Sequence, residues 1–300
     1  MGTPQIAEHS LKKLIEAKHK IVGVFTREDK PVGRKRIITP PPVKVLALEN
    51  EIEIYQPKTL KDETVIETIK QLNPDIIVVV AYGMILPKSV LDIPKYGCIN
   101  LHVSLLPKYR GSAPIQWSVI NGDTETGVTI MYMDEGLDTG DIINTTIVPI
   151  DKDETSGELF EKVTTIGANT LVGTLSSIEN GIIKKIKQDE SKVTFAPKLS
   201  KELALVNFDK NALETHNLIR GLMPWPIAFF MYEDKKIKIT KSEVISSNGK
   251  TGEILSLKPL IIACKENAIC LKQVVPEGKK PMDGSAWALG KHFKVGDVLE

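Results

Sequence analysis

The stretch that most constrains this 300-residue chain is IIVVVA at 76–81. Six consecutive apolar, mostly β-branched residues suit a strand covered on both faces, because a half-solvated strand would alternate apolar with polar. Such strands belong to parallel sheets flanked by helices, so the neighbouring segments should alternate between helix and strand. They do. Thr3 and Pro4 can open a helix in which Ile6, Leu11, Leu14 and Ile15 share one face. A short strand follows at 21–25, and Val65, Ile66, Ile69 and Leu72 mark a helix over 62–72. Beyond 76–81 come a strand at Cys98–His102, a helix opened by Ser112 and Pro114, a strand at 128–133, and a long helix announced by a capping box of Thr155 with Glu158. The predicted class is α/β, with a Rossmann-like, mostly parallel sheet.

Between 187 and 207 the pattern loses its periodicity and turns polar, with Pro197 and Lys-Leu-Ser-Lys inside it. We expect a first domain over 1–188, a linker over 189–206 and a second domain over 207–300. The second part opens with a helix near 211–222. Short strands follow at 236–240, 252–256, 260–264 and 268–274, divided by Asn-Gly, Lys-Pro and Glu-Asn turns. That spacing predicts a small OB-like β-barrel. Two cores also fit the length, since single cores stop growing near ~250–300 residues.

Composition removes several classes of function. Basic and acidic residues balance at 39 against 38, so a polyanionic partner must be met by a local patch rather than by net charge. Cys98, Cys264 and Cys270 form no CxxC pair and are odd in number, which fits small reduced core residues better than a disulfide framework. No apolar run approaches the ~20 residues of a membrane span. The N-terminus has no charged and apolar leader, and Ile6 stands where a myristoylation motif needs Ser or Thr. A cytoplasmic protein without membrane contact is expected.

Chemistry concentrates in INLHVSLLPKYRGSAP, Ile99 to Pro114. Residues two apart on a strand face the same way, so Asn100 and His102 project together from the C-terminal end of Cys98–His102, where open α/β sheets bind ligands. Further on, GLDTGDI presents Asp138 from a tight turn. An amide donor, an imidazole and a carboxylate that can orient it suit attack on a carbonyl. The spacing equally fits two residues that satisfy backbone groups at a strand end and a third that caps a turn. No G-x-S-x-G elbow signals a covalent acyl-enzyme, and no G-x-G-x-x-G follows a strand. His9, His19, His216 and His292 lack metal-ligand spacing, so no metal is predicted. From 30 to 48 there are five basic residues (Lys30, Arg34, Lys35, Arg36, Lys44) and no acidic one, framed by Gly33 and by Pro40, Pro41 and Pro42. Such a loop can enter a nucleic-acid groove or simply be solvated. The lysines of the second part (Lys235, Lys236, Lys238, Lys241, Lys279, Lys280, Lys291, Lys294) read as a solvated face, and Trp225 in MPWPIAFF as core packing.

NLHVSLLPKYRGSAPIQW followed by GVTIMYMDEGLDTGDII resembles the signature of the folate-dependent formyltransferases. The resemblance runs end to end through MGTP, DKPVGRKR, IRGLMPWP and VPEGKKPM, and it points to the branch acting on methionyl initiator tRNA rather than on glycinamide ribonucleotide. It implies formyl transfer from 10-formyltetrahydrofolate to the α-amine of methionine esterified to that tRNA, by a monomer. Carried onto this sequence, Asn100, His102 and Asp138 correspond to the catalytic trio. Ser104, Leu105, Leu106 and Pro107 correspond to the folate-binding loop, and Arg34, Lys35 and Arg36 to the insertion that engages the acceptor end. In this implied mechanism, Asn100 and protonated His102 stabilise the oxyanion while Asp138 orients His102. The family places a short apolar strand before GTP, so the sheet is expected to lack its first strand. Met223 stands where an asparagine is common, and Asn207 where aspartate often occurs. Two rivals remain open: a formyltransferase acting on an amino-sugar nucleotide, and a non-catalytic RNA-binding relative.

Overall fold

The 76–81 run enters the sheet as strand Ile77–Val79, hydrogen-bonded in parallel to Cys98–His102. In this computed structural model, which describes residues 1–33 and 35–299, the sheet continues antiparallel into Glu125–Tyr132 and ends at Ile142–Pro149. All five residues of Cys98–His102 are buried. Helix Ser156–Glu179 covers one side: the side chain of Leu101 comes within 3.2 Å of where a Cβ on Gly167 would stand. Ile99 and Leu101 therefore face the helix, and Asn100 and His102 face the other way. The predicted capping box opens this helix. The Thr155 N–H donates to the Glu158 carboxylate at 2.9 Å, and the Glu158 N–H donates to the Thr155 hydroxyl at 3.3 Å.

The amphipathic helices lie where their spacing puts them. Gln5–Glu16 buries Ile6, Leu11 and Leu14, and Glu63–Leu72 is capped by the Asp62 side chain, which accepts from the Thr64 N–H. Thr3 does not cap the first helix; Pro4 holds that position and the Thr3 hydroxyl instead donates to the Tyr82 carbonyl at 3.0 Å. Strand Val24–Phe25 pairs in parallel with Ile54–Tyr55 in a separate small sheet. Met1 and Gly2 lie between the two sheets: the Met1 amine donates to Val78 O at 2.7 Å, and the Gly2 N–H to Phe25 O at 2.9 Å. Beside them runs a cavity of about 670 Å³, lined by Leu11, Val24, Ile77 and Val80 among others.

The chain divides into two units. Met1–Gly111, Gly127–Val148 and Glu161–Phe195 form the first; Ser112–Thr126, Pro149–Phe160 and the chain from Ala196 onward form the second. The second unit is built on a curled antiparallel sheet in the order Phe229–Tyr232, Lys235–Ile245, Ala268–Pro276, Leu260–Ala263, Ile254–Leu257, with Met282–Asp283 added on Ala268–Pro276. Register shifts between Ile239 and Ser242 bend its longest strand. Phe208, Ile219, Phe230, Ile239 and Trp287 fill its core. Trp225 is not in it: the buried positions of its segment are taken by Leu222, Ala228 and Phe230, and Trp225 stands 53% exposed in the turn between them. The three cysteines are buried and unpaired, and burial pushes the Cys98 thiol up to about 12 and that of Cys264 to about 11.

Helix Ala212–Gly221 buries His216, whose Nδ1 lies 2.9 Å from the Ser242 hydroxyl and whose Nε2 lies 3.2 Å from the Asp153 carboxylate. Burial first, and the Arg220 guanidinium second, lower its pKa below the usual histidine value, against the opposing pull of Asp153. The native state thus keeps this ring neutral to lower pH than the unfolded chain does. Its contribution is fully present above about pH 6.5 and is lost as pH falls from there through the native value. Thermal unfolding should occur at lower temperature at pH 5 than at pH 7.5, and His216→Gln should flatten that dependence. A variant whose pH slope matches wild type would contradict the assignment.

Candidate active site

Asn100 and His102 stand at the end of a buried strand with relative exposures of 9% and 6%, both polar and facing away from the covering helix. His102 Nε2 lies 2.9 Å from the Tyr109 carbonyl oxygen. A carbonyl can only accept, so Nε2 carries the proton and Nδ1 is the free ring atom. Nδ1 faces Asp138 Oδ2 at 3.8 Å, an ion-pair distance when the ring is protonated and too long for a hydrogen bond. Toward a ligand the neutral ring can only accept through Nδ1, on its Asp138 side, and a protonated ring would donate there.

Asp138 reaches this place from a turn that its own sequence braces. Its φ is +55°, in the left-handed region that aspartate tolerates better than most residues. One carboxylate oxygen accepts from the Gly111 N–H at 2.8 Å. Asp134 closes the turn from the other end, accepting from the Gly136 N–H at 3.0 Å and from the Thr139 hydroxyl at 2.6 Å. Gly140 packs its Cα directly on the Tyr132 carbonyl oxygen, where any Cβ would collide with backbone.

The 104–107 loop follows the same strand, and its polar groups are largely spent on its own shape. The Ser104 side chain is fully buried, and its hydroxyl donates to Lys108 O at 2.6 Å. The Thr129 hydroxyl donates to Ser104 O at 2.7 Å and accepts from the Leu106 N–H at 3.3 Å. Leu105 packs on Gly127, and Leu106 clusters with Met131 and Ile142. Pro107 follows Leu106 through a cis peptide. A ligand here would meet apolar surface and main chain rather than the Ser104 hydroxyl.

Of the basic loop, Lys35 and Arg36 are exposed at the turn of a hairpin formed by Lys30–Val32 and Ile37–Thr39, while Arg34 lies outside the described residues. Lys44 does not join them. It sits on helix Pro42–Glu49, half-buried, and donates to Asp29 at 2.9 Å and to Gln56 at 2.8 Å, so its charge is already matched. Val32, Ile37 and Ile38 are each more than half exposed on the same hairpin.

Four further residues shape the site without having been singled out in the sequence: Tyr109, Arg110, Gly111 and Gln188. Arg110 is buried and its fork grips the Gln188 side-chain oxygen at 2.8 and 3.0 Å. Gln188 in turn donates to Asp138 O and Gly140 O, each at 2.8 Å. The Arg110 guanidinium beside Glu190 holds that carboxyl below its usual range. Gln188 falls at the edge of the aperiodic stretch after 187, where spacing carries no signal.

The first unit's mixed α/β sheet thus presents an amide and an imidazole at one strand end, with a carboxylate brought beside the imidazole from the 134–140 turn, and the second unit is built on a curled antiparallel sheet. The formyl transferase description matches residues 1–175, and the formyl transferase C-terminal domain matches 198–292. The chain belongs to the formyl transferase family. It is 46% identical over 305 residues to the methionyl-tRNA formyltransferase of Clostridium novyi, covering all of this chain and 98% of that protein. Identity to the methionyl-tRNA formyltransferase of Clostridioides difficile is also 46%, over 303 residues, with the same coverage. A solved sugar 3N-formyl transferase, WlaRD, superposes with a TM-score of 0.67 at 21% identity over 93% of this chain and 97% of that one, a likeness of fold.

Gly140→Ala tests the turn. Overpacking against a backbone oxygen should destabilise the protein by about 1–3 kcal/mol and move Asp138. Urea unfolding at wild-type midpoint with full activity would show that the close approach is not required.

Proposed function

We propose that this chain transfers a formyl group from 10-formyltetrahydrofolate to the α-amine of methionyl initiator tRNA, acting as a monomer in the cytoplasm. The observation that carries the reading is the Asp138 carboxylate facing His102 Nδ1 at 3.8 Å, beside an asparagine on the same strand face. Full-length likeness to methionyl-tRNA formyltransferases supports the acceptor. The donor set fits a folate-borne formyl group: two potential N–H donors suit its carbonyl oxygen, and the apolar 104–107 loop suits a flat ring system. When bound, the folate supplies the one-carbon unit on N10.

In this reading Asn100 donates to the formyl oxygen, and His102 Nδ1, protonated and balanced by Asp138, adds a second charge-assisted donor. An α-amine has a reference pKa of about 7.7–8.0, so a useful fraction is already nucleophilic at neutral pH. With the donor bound, the amine would add to the formyl carbon while Asn100 and His102 hold the charge developing on the formyl oxygen; the carbon–N10 bond would then break as N10 takes up the amine's proton. Asp138, fixed by the Gly111 N–H, holds the imidazole in orientation while this proceeds. Lys35 and Arg36 on the exposed hairpin, with Arg34, supply positive charge for the acceptor end of the tRNA.

Asn100→Ala should slow single-turnover transfer by ~10²–10³, the cost of losing one oxyanion donor. Asp138→Ala should cost more, with tetrahydrofolate binding retained in both. Near-wild-type transfer in either variant would contradict the trio. Replacing Lys35 and Arg36 together by alanine should weaken tRNA use and flatten its dependence on salt. Unchanged kinetics from low to high ionic strength would remove the hairpin from the reading. The likeness of fold to sugar formyltransferases favours one competing acceptor, an amino-sugar nucleotide. Parallel assays with radiolabelled formyl donor should label methionyl initiator tRNA and leave the amino-sugar nucleotide unlabelled.

A further inference from the structure

We infer that Gln188 and Arg110 are positioning residues for formyl transfer, setting the Asp138 carboxylate against His102 without touching substrate. The inference rests on the role of Asp138 proposed above. Asp138 holds a left-handed backbone, φ +55°, a less populated conformation that its surroundings lock in place. The enforcement is visible. Both protons of the Gln188 amide are used, one on Asp138 O and one on Gly140 O, each at 2.8 Å. Its oxygen accepts twice from Arg110, from Nε at 3.0 Å and from Nη2 at 2.8 Å. No capacity of that amide is left over, and its orientation is fixed: turned over, its nitrogen would face a guanidinium and its oxygen two carbonyls.

Arg110 is in turn over-determined. It is buried at 3% exposure, and the rest of its fork is held by the Glu190 carboxylate at 2.7 and 3.2 Å. Its backbone N–H donates to Thr194 O at 2.9 Å, and the Tyr109 N–H donates to the Thr194 hydroxyl at 2.9 Å. The neighbours of Arg110 hold the two members of the pair themselves: Tyr109 O accepts from His102 Nε2, and the Gly111 N–H donates to Asp138. Three consecutive residues thus fix the imidazole, the carboxylate, and, through Gln188, the main chain that carries the carboxylate. A merely stabilising role would not require the contacts to converge on both sides of one 3.8 Å gap.

The test is a double-mutant cycle on the full chain, reading kcat, KM for both substrates and the thermal midpoint. Gln188→Glu keeps the side-chain length and the Arg110 contact but sets oxygen against two carbonyl oxygens. It should lower kcat at least tenfold, leave both KM values within about twofold and keep the midpoint within a few degrees. Because Gln188 acts through Asp138, the D138A/Q188E double variant should be no slower than D138A alone. Q188M, apolar and similar in length, repeats the test without an added charge and is read in the same way, including where Q188E folds poorly. Wild-type kcat in a folded Q188M, or losses that multiply in the double variant, would overturn the inference while leaving the trio intact. Wild-type kcat in D138A would instead fell the trio, and this inference with it.

Discussion

The carbonyl of Tyr109 decides what His102 can do. At the end of a central strand the imidazole is buried, and among the described residues the partner of its Nε2 is a carbonyl, a pure acceptor. The neutral tautomer follows from that single contact, and in the proposed mechanism so does the atom left to meet substrate. Were Tyr109 O displaced, Nδ1 and Nε2 would become interchangeable, and the 3.8 Å approach of Asp138 would no longer select one of them. A local backbone choice, Tyr109 itself at φ +61°, thereby fixes a chemical property of a side chain seven residues earlier.

The fold supplies the rest of the arrangement by simple means. Alternation along a buried strand gives Ile99 and Leu101 to the covering helix and leaves Asn100 and His102 on the opposite face. The tight turn at Gly140, closed on the Tyr132 carbonyl, brings a second segment back past the strand end. Arg110 and Gln188 then tie in a third segment from beyond the long helix. Convergence of distant pieces on one small volume fixes His102 and Asp138 against each other, the kind of preorganisation that the proposed stabilisation of a developing charge calls for.

Much of this was legible in the sequence because it is periodic or local. The run at 76–81, strand Cys98–His102, the Thr155 and Glu158 box and the Asn211 to Leu222 helix all follow from spacing or capping chemistry, and the structure reproduces them. The Asn-x-His pair shows the same spacing, but spacing alone leaves its role open, and its place beside Asp138 in a trio comes from the family resemblance. Strand Ile142–Pro149 is not legible: IINTTIVP buries chiefly Ile142 and Val148, so as an exposed edge it lacks a clean alternation. Trp225 departs from the burial its size predicts because Leu222, Ala228 and Phe230 take the core positions of its segment. Lys44 counts among five basic residues by sequence, but Asp29 and Gln56, twelve or more positions away, enclose it. Gln188 carries no signal at all by itself, since its meaning lies wholly in four hydrogen bonds to residues some fifty or more positions away.

The most direct test is the protonation pattern of one ring. Long-range 1H–15N spectra of the full chain labelled on histidine nitrogens, with His102→Asn to assign the signal, report which nitrogen bears the proton in the neutral form. The proton is predicted on Nε2, with Nδ1 bare and facing Asp138. A neutral ring protonated on Nδ1 would contradict the account.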